Sequence, residues 1–563
     1  MAITRITIEN FKGIAERVEV DLKPITVLFG ANSAGKSTLL QAMLYLRELL
    51  ERRNADADRL QASGSSIDLG GFRQLVHGHD LDREVKIGVT VEMSDDGLPV
   101  IPVVELALVN AASADFMENG ISGVETVGVE IGIRWDADRQ CPQIHSYAVS
   151  LNGSYFAKLE AESALQCYLV DFEPWHDEFP SEIRSEPDLE DDSIPASQLS
   201  SYLQRENLLD LFGLDMEDTE NQVAYRVPLG STSVIPNWDQ LILPKKSFEQ
   251  IHQNDQMLSA DIDELSEYAI AQFILSQIMV GAGRTVLEEL QKICYVGPLR
   301  TLPDRNFVGM RSPKEDRWAD GMAAWDRLYE SAMIPDGNAL VMETSGWLND
   351  PEKLNMGYNL ESRAIYEVED DSYAMYLLHS LAANPEDDDI AERMNQIIKD
   401  IEDSPRTIRL SLRDLSSGTI VAPCDIGVGV SQVIPVVVAS IDMSGNTVAI
   451  EQPELHLHPA VQARLGDLFL EAATDGGEKR FILETHSEHL MLRFLRRIRE
   501  CSEDDKENYP SFLGDVSPED VSVYYIQSLD HQTKMTPLRI SEDGDFLDRW
   551  PNGFFEERGE ELF

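Results

Sequence analysis

The chain has 563 residues, enough for about three to four domains, and its 43% hydrophobic content and mean hydropathy of −0.24 fit a soluble globular protein. Acids outnumber bases 100 to 47, giving a net charge of −53. Such a surface repels nucleic acid over most of its area and restricts DNA contact to a local basic patch or a partner; it also suits solubility, a salty cytoplasm or a basic protein partner. No run of about 18 apolar residues appears, because Ile426–Ile441 is interrupted by Ser431, Gln432 and Pro435. The N-terminus lacks a signal-peptide core, and five scattered cysteines without a CxxC pair suggest reduced thiols, so a cytoplasmic location with no membrane contact is expected.

In chain order, "RITIENF", "ERVEVDL" and "ITVLF" read as three strands, followed by the glycine loop and helix of "GANSAGKSTLLQAMLYLRELLERR". The strands "EVKIGVTVEM", "VGVEIGIRW" and "YAVSLNGSYFAKL" come next, the last turning at Asn152-Gly153. From about Asp171 to Ser197 the composition is that of an acidic, solvated linker. Helical periodicity runs from about Ser247 to Cys294, and "YVGPLR" opens a stretch of turns and short helices reaching about Asp403. A hairpin around Ser417-Gly418, the strand "TVAIE", a helix from Pro459, the strand "RFILETH" and a helix from Glu488 follow. That last helix is expected to bury Leu490, Phe494 and Ile498 and to turn Arg493, Arg496, Arg497 and Arg499 outward.

Gly30-Ala31-Asn32-Ser33-Ala34-Gly35-Lys36-Ser37 matches G-x-x-x-x-G-K-S, continues into Thr38, follows a strand and opens a helix. Backbone N–H groups of such a loop curl around phosphate, Lys36 reaches the β- and γ-phosphates of ATP, and Ser37 ligates Mg²⁺. Glu451 ends a buried-type strand, where a carboxylate can position the magnesium shell. His486 ends another in "ETHS", where it can reach a γ-phosphate. In "CDIGVGVSQVIPVVV", Gly427, Gly429 and Ser431 can present N–H groups and a hydroxyl to phosphate, although Gly-Val-Gly is equally a tight packing turn.

Asn10-Phe11-Lys12-Gly13, the P-loop, "GVGVSQV", "IEQPELHLHP" and "ETHS", in that order, resemble the ABC-type ATPase heads of the RecF/SMC and OLD group, closest to bacterial OLD-like and Septu PtuA-like AAA ATPases. The resemblance implies an α/β ABC-type P-loop head split by a long mixed β and helical insertion. The expected division is 1–165 for the first half of the head, 166–295 and 296–404 for the insertion, 405–530 for the second half and 531–563 for a tail. It also implies two heads that sandwich two ATP molecules, as a homodimer or higher oligomer, with Gly429 and Ser431 of one closing on the phosphate held by Lys36 of the other. Gln74, in "LGGFRQLVHG", falls where the magnesium-sensing glutamine loop of the group lies, or is an ordinary surface glutamine. Many relatives serve anti-phage defence beside a nuclease or toxin effector. The stretch after His486 is too short for their TOPRIM domain, so nuclease activity in this chain is not expected.

Gln452 stands where the group has its general-base glutamate. A neutral amide orients water but does not take its proton, so ATP should bind normally and be hydrolysed slowly, with Glu454 either a substitute base or a structural acid. An ATPase that clamps DNA through the arginines of the last helix, or a non-hydrolysing scaffold, are the other readings of the same motifs.

Overall fold

The structure is a computed structural model that describes residues 1–53, 69–94, 97–98, 121–163, 166–170, 194–195, 227–228, 233–240, 242, 262–310, 315–334, 337–383, 390–402, 404–442, 446–474, 479–502 and 509–550. It is α/β and divides into two compact units: residues 1–23, 28–293 and 524–537, and residues 24–27, 294–523 and 538–563. In the middle of the chain the division falls between residues 293 and 294. Most of the acidic stretch 171–197 and the start of the helical stretch from Ser247 lie outside the described residues.

In the first unit the strands are β1 (Ala2–Glu9), β2 (Val18–Asp21), β3 (Ile25–Gly30), β4 (Val85–Glu92), β5 (Ile121–Ser122), β6 (Thr126–Asp136), β7 (Cys141–Leu151), β8 (Ser154–Ser163), β9 (Gln166–Val170), β10 (Ile194–Pro195) and β11 (Val227–Pro228). Eight of them form an antiparallel sheet in the order β11-β9-β8-β7-β6-β4-β1-β2. Alternation in β6 buries Val127, Val129, Ile131 and Ile133, and the Tyr147 hydroxyl of β7 donates to Met279 O at 2.6 Å on the long helix α3 (Ile262–Gln291). The Asn152-Gly153 turn has two positive φ angles, 49° and 78°, as a tight β7–β8 hairpin requires. Helix α1 (Ser37–Arg52) packs on α3, and the one-turn α2 (Phe72–Leu75) precedes β4.

The second unit holds β12 (Cys294–Val296), α4 (Met322–Met333), α5 (Ala339–Asn349), β13 (Tyr358–Tyr366), α6 (Tyr373–Ala383), α7 (Ile390–Glu402), β14 (Arg406–Asp414), β15 (Ile420–Val421), α8 (Val428–Ile441), β16 (Thr447–Glu451), α9 (Pro459–Thr474), β17 (Arg480–Thr485) and α10 (Glu488–Ser502). Strands β12, β16 and β17 are parallel, and the unbroken apolar runs of β16 and β17 suit strands covered on both faces. Strands β18 (Val521–Leu529) and β19 (Gln532–Leu538) close the chain order, and β3 and β18 change unit along their length. Helix α8 is apolar nearly all round and buried from Val430 to Ser440, packed by α4, α5 and α9. Among the described residues no helix is long and apolar enough to cross a membrane.

Helix α10 corrects one expectation. Leu490, Phe494 and Ile498 are buried as the spacing requires, but the four arginines do not form a free outward row. Arg497 is 3% exposed and, with Arg493, pairs with the buried Asp467 of α9, while Arg496 pairs with Glu500 and Arg499 with Asp545. A carboxylate buried in the α9–α10 seam needs cations beside it, and the nearest are on α10.

Candidate functional site

The phosphate loop belongs to the first unit. Strand β3 is buried throughout and delivers Gly30 at its end; a Cβ there would lie 2.0 Å from Ile526 O of β18. Gly35 has φ 98°, and a Cβ would lie 2.6 Å from Thr533 Oγ1 of β19, so conformation and space both demand glycine. Within the loop Ala34 N–H donates to Ala31 O and Thr38 N–H to Gly35 O, while Ser33 takes a left-handed φ of 61°. Asn32 and Ser33 are exposed, Ala34 and Thr38 are buried, and Ser37 is half-buried at the first turn of α1. Lys36 is buried and curls inward, its Nζ donating to Gly30 O (3.2 Å) and Ala31 O (2.9 Å). A cation turned into a glycine loop, the amino end of a 16-residue helix and hydroxyls at Ser37 and Thr38 form a donor set that fits a phosphate with its magnesium.

Thr533 was not legible as a site residue. Its N–H donates to Gly13 O (2.7 Å) and its hydroxyl to Ala34 O (3.2 Å), so β19 forms a floor under the loop. The Asn10-Phe11-Lys12-Gly13 turn has left-handed Asn10 and Lys12 and receives α2 through Lys12 N–H to Leu75 O. Lys12 Nζ reaches Gln41 Oε1 on α1. Gln74 lies on the exposed side of α2, so the structure gives it a surface position.

The second unit gathers Glu451, Gln452, Glu454, His486, Gly429 and Ser431 around the ends of β16 and β17 and the start of α8. Glu451 closes β16, is buried, and accepts from the Tyr295 hydroxyl at 2.8 Å. In register beside it on β17 is the buried Glu484, an acid the "ETHS" motif carries and the sequence reading passed over. Burial, then the Glu451 and Glu484 charges, hold the Tyr295 phenol far above its ordinary range, so it stays a donor. Gln452 has a left-handed φ of 48°, a conformation that costs a non-glycine residue about 1–3 kcal/mol unless its surroundings hold it. They do: its N–H donates to Glu484 O (2.7 Å) and its carbonyl accepts from Arg300 (3.2 Å). Glu454 Oε1 accepts the N–H of His486 (2.8 Å), tying the turn after β16 to the turn after β17; burial raises its carboxyl above the ordinary value of 4.5. Ser487 then caps α10, its hydroxyl accepting from Leu490 N–H and donating to Gln462 Oε1.

Arg300, the last residue of "YVGPLR", is the organising side chain that sequence reasoning missed. It is 5% exposed, and its guanidinium donates to Glu451 O (2.7 Å), Gln452 O (3.2 Å) and Gln432 O (3.3 Å). Gln432 returns the contact, Nε2 donating to Arg300 O at 2.6 Å. Burial lowers the Arg300 pKa to about 10, opposed by the Glu454 and Glu451 charges, so the group remains a cation at neutral pH. Gly429 completes the contact on α8, since a Cβ there would stand 2.8 Å from His456 O. Ser431, expected to offer its hydroxyl to phosphate, is instead 1% exposed and donates to Val428 O (2.9 Å), because α8 has already begun at Val428 and its first turn takes the hydroxyl. The outward surface at this helix start is Gly427 and Val428.

Residues 1–87 and 359–491 match the family described as AAA ATPase domain, and residues 516–563 match "Protein of unknown function (DUF3696)". The ATPase match falls in two sequence segments, one with Lys36 and one with Glu451 to His486. No curated protein matches. Among solved structures it is similar to an Smc head bound to the C-terminal winged-helix domain of ScpA, at 12% identity and a TM-score of 0.37 over 96% of this chain and 99% of that one. It is also similar to the Smc head with an extended coiled coil bound to the ScpA C-terminal domain, derived from Pyrococcus furiosus, at 11% identity and 0.37 over 96% of each chain. The SMC head domain from Thermotoga maritima gives 9% identity and 0.33 over 96% of this chain and 100% of that one. At these scores the likenesses carry no inference, and the ATPase assignment rests on the domain match and the loop itself.

Proposed function

We propose that this chain is a magnesium-dependent ATPase that binds ATP tightly, hydrolyses it slowly and uses the bound state to regulate a partner effector. The observation that supports it best is the inward Lys36 in a floored glycine loop, within a segment matching an AAA ATPase domain. In this reading Lys36 holds the β- and γ-phosphates, and Ser37 and Glu451 serve the magnesium shell. Gln452 orients the attacking water, and the fixed backbone around it keeps the amide in place without supplying a base. His486 senses the γ-phosphate, and Gln74 has no further support for a metal role. Mg²⁺, when bound, neutralises phosphate charge and positions the nucleotide.

Two heads closing on ATP through the "GVGVSQV" segment, an effector such as a nuclease or toxin, and a role in anti-phage defence follow from the motif order alone; the part of that segment exposed at the start of α8 is Gly427 and Val428. Direct DNA clamping through α10 loses its support, because the arginines there are committed to Asp467, Glu500 and Asp545. Titration of a fluorescent ATP analogue decides the core reading. Lys36→Ala should weaken binding at least ~100-fold, about the worth of a charge-assisted phosphate contact, and undiminished affinity overturns the assignment.

A further inference from the structure

Strands β13 and β14 form a regular antiparallel ladder that ends at the Tyr366–Arg406 pair and is prolonged by Glu367 N–H donating to Pro405 O at 3.1 Å. Between those ends the chain leaves as the hairpin of α6 and α7, which closes on a small core of its own: Ala374, Leu377 and Ile397, with Val368 and Ile401 packed against it. Arg393 on α7 reaches Ser380 Oγ on α6, marking one flank of the hairpin. With Leu377 and Ile397 in the seam, helical spacing places Leu378, Met394 and Ile398 on the opposite flank. All three are exposed, at 38%, 41% and 48%. Single exposed apolar side chains are ordinary on a soluble protein; three gathered on one flank of a two-helix projection are a docking feature.

Charge says what covers it. Between residues 367 and 402 the sequence has eleven acids and two bases. Glu367, Glu369, Asp370 and Asp371 are exposed at the foot of α6, and Glu392 and Glu402 are exposed on α7. A second copy brings the same acids and a net charge of −53, so like charges oppose self-pairing here. An anionic lipid surface is repelled in the same way.

We infer that the α6–α7 hairpin docks a cationic amphipathic segment of a different protein, whose apolar anchors cover Leu378, Met394 and Ile398 while its lysines and arginines meet the acidic rim. This is the helix-against-apolar-surface mode of peptide recognition. It deepens the partner reading above and rests on it, but it does not depend on nucleotide binding.

The test uses the full-length chain at physiological salt, with a fluorescent synthetic Leu/Lys helix as probe and a scrambled peptide of identical composition as control. Wild type should bind the amphipathic peptide at least ~10-fold tighter than the scrambled one, a difference of about 1.4 kcal/mol. The double variant Met394→Ser, Ile398→Ser changes only exposed positions, so its fold should hold, and it should lose that preference. Equal binding of both peptides, or an undiminished preference in the variant, shows mere attraction to an acidic body and overturns the proposal. So does wild-type self-association that the double variant abolishes, since the occupant is then a second copy, and so does binding of zwitterionic vesicles through the same residues. ATP-analogue affinity separates the two readings: failure of wild type to bind challenges the nucleotide assignment, unchanged affinity in the double variant shows that its fold holds, and peptide binding alone decides this one.

Discussion

Replacing Arg300 by methionine keeps most of the buried volume and removes the guanidinium that fixes the turn after β16. Three charge-assisted bonds are lost, to Gln432, Glu451 and Gln452 carbonyls, each worth about 1.5–3 kcal/mol. Against them stands the cost of burying the cation, about 3 kcal/mol for a pKa held at about 10 in place of 12.5. The net loss is about 3 kcal/mol, a fall in melting temperature of about 6–12 °C for a unit of this size. Catalysis should suffer more than stability suggests, because Glu451 and Gln452 are positioned through their backbones, and a displacement near 1 Å costs ~100-fold in rate. Scanning calorimetry, single-turnover ATP hydrolysis and ATP-analogue titration read the three quantities separately. The expected pattern for Arg300→Met is lower melting temperature, ~100-fold slower hydrolysis and ATP affinity within ~3-fold of wild type, with Arg300→Lys intermediate because an ammonium cannot span all three carbonyls. Wild-type turnover in a folded Arg300→Met protein refutes the positioning role.

Gln452→Glu should raise turnover ~10-fold, short of the ~10²–10⁴ of an optimised base, as phosphate release at saturating ATP will show. Glu454→Gln should keep hydrolysis, since the amide oxygen still accepts from His486 N–H; near-total loss would move the base to residue 454. Burial raises the Glu454 carboxyl above 4.5, so the folded state holds that proton more tightly than the unfolded chain. Its stabilising contribution is present at low pH and fades as pH rises through the folded pKa, so the Gln variant should gain melting temperature over wild type on going from acid to neutral pH. Asp467→Ala leaves the buried Arg497 with Glu500 alone and takes the Asp467 contact from Arg493, and should cost about 3–5 kcal/mol in thermal unfolding, with Asp467→Ala, Arg497→Met recovering part of the loss.

Features written in contiguous residues were legible. The P-loop needs only its own glycines and a flanking strand and helix, and β16 and β17 announce themselves as apolar runs, the first ending in Glu451. The apolar face of α10 followed from its period, but the fate of its arginines did not, because Asp467 lies on another helix thirty residues away. The roles of Arg300, Tyr295 and Thr533 were opaque for the same reason: each acts on groups more than a hundred residues distant, and "YVGPLR" marks the first two only as a place in the chain. Ser431 failed differently. Its partner is only three residues back, but one turn of uncertainty in where α8 begins decides whether the hydroxyl faces outward or folds onto Val428.

The floor beneath the phosphate loop sets an order of events during synthesis. Residues 30–38 are made long before their support, since Gly30 is shaped to lie against Ile526, and Gly13, Ala34 and Gly35 against Thr533. A nascent chain therefore carries the complete glycine loop while residues 39–525 are added, without the strands that give the loop its form. At about 5–20 residues per second, that interval lasts on the order of half a minute to two minutes. The loop therefore takes its supported form only after Arg300 and the segment from Glu451 to His486 have been made.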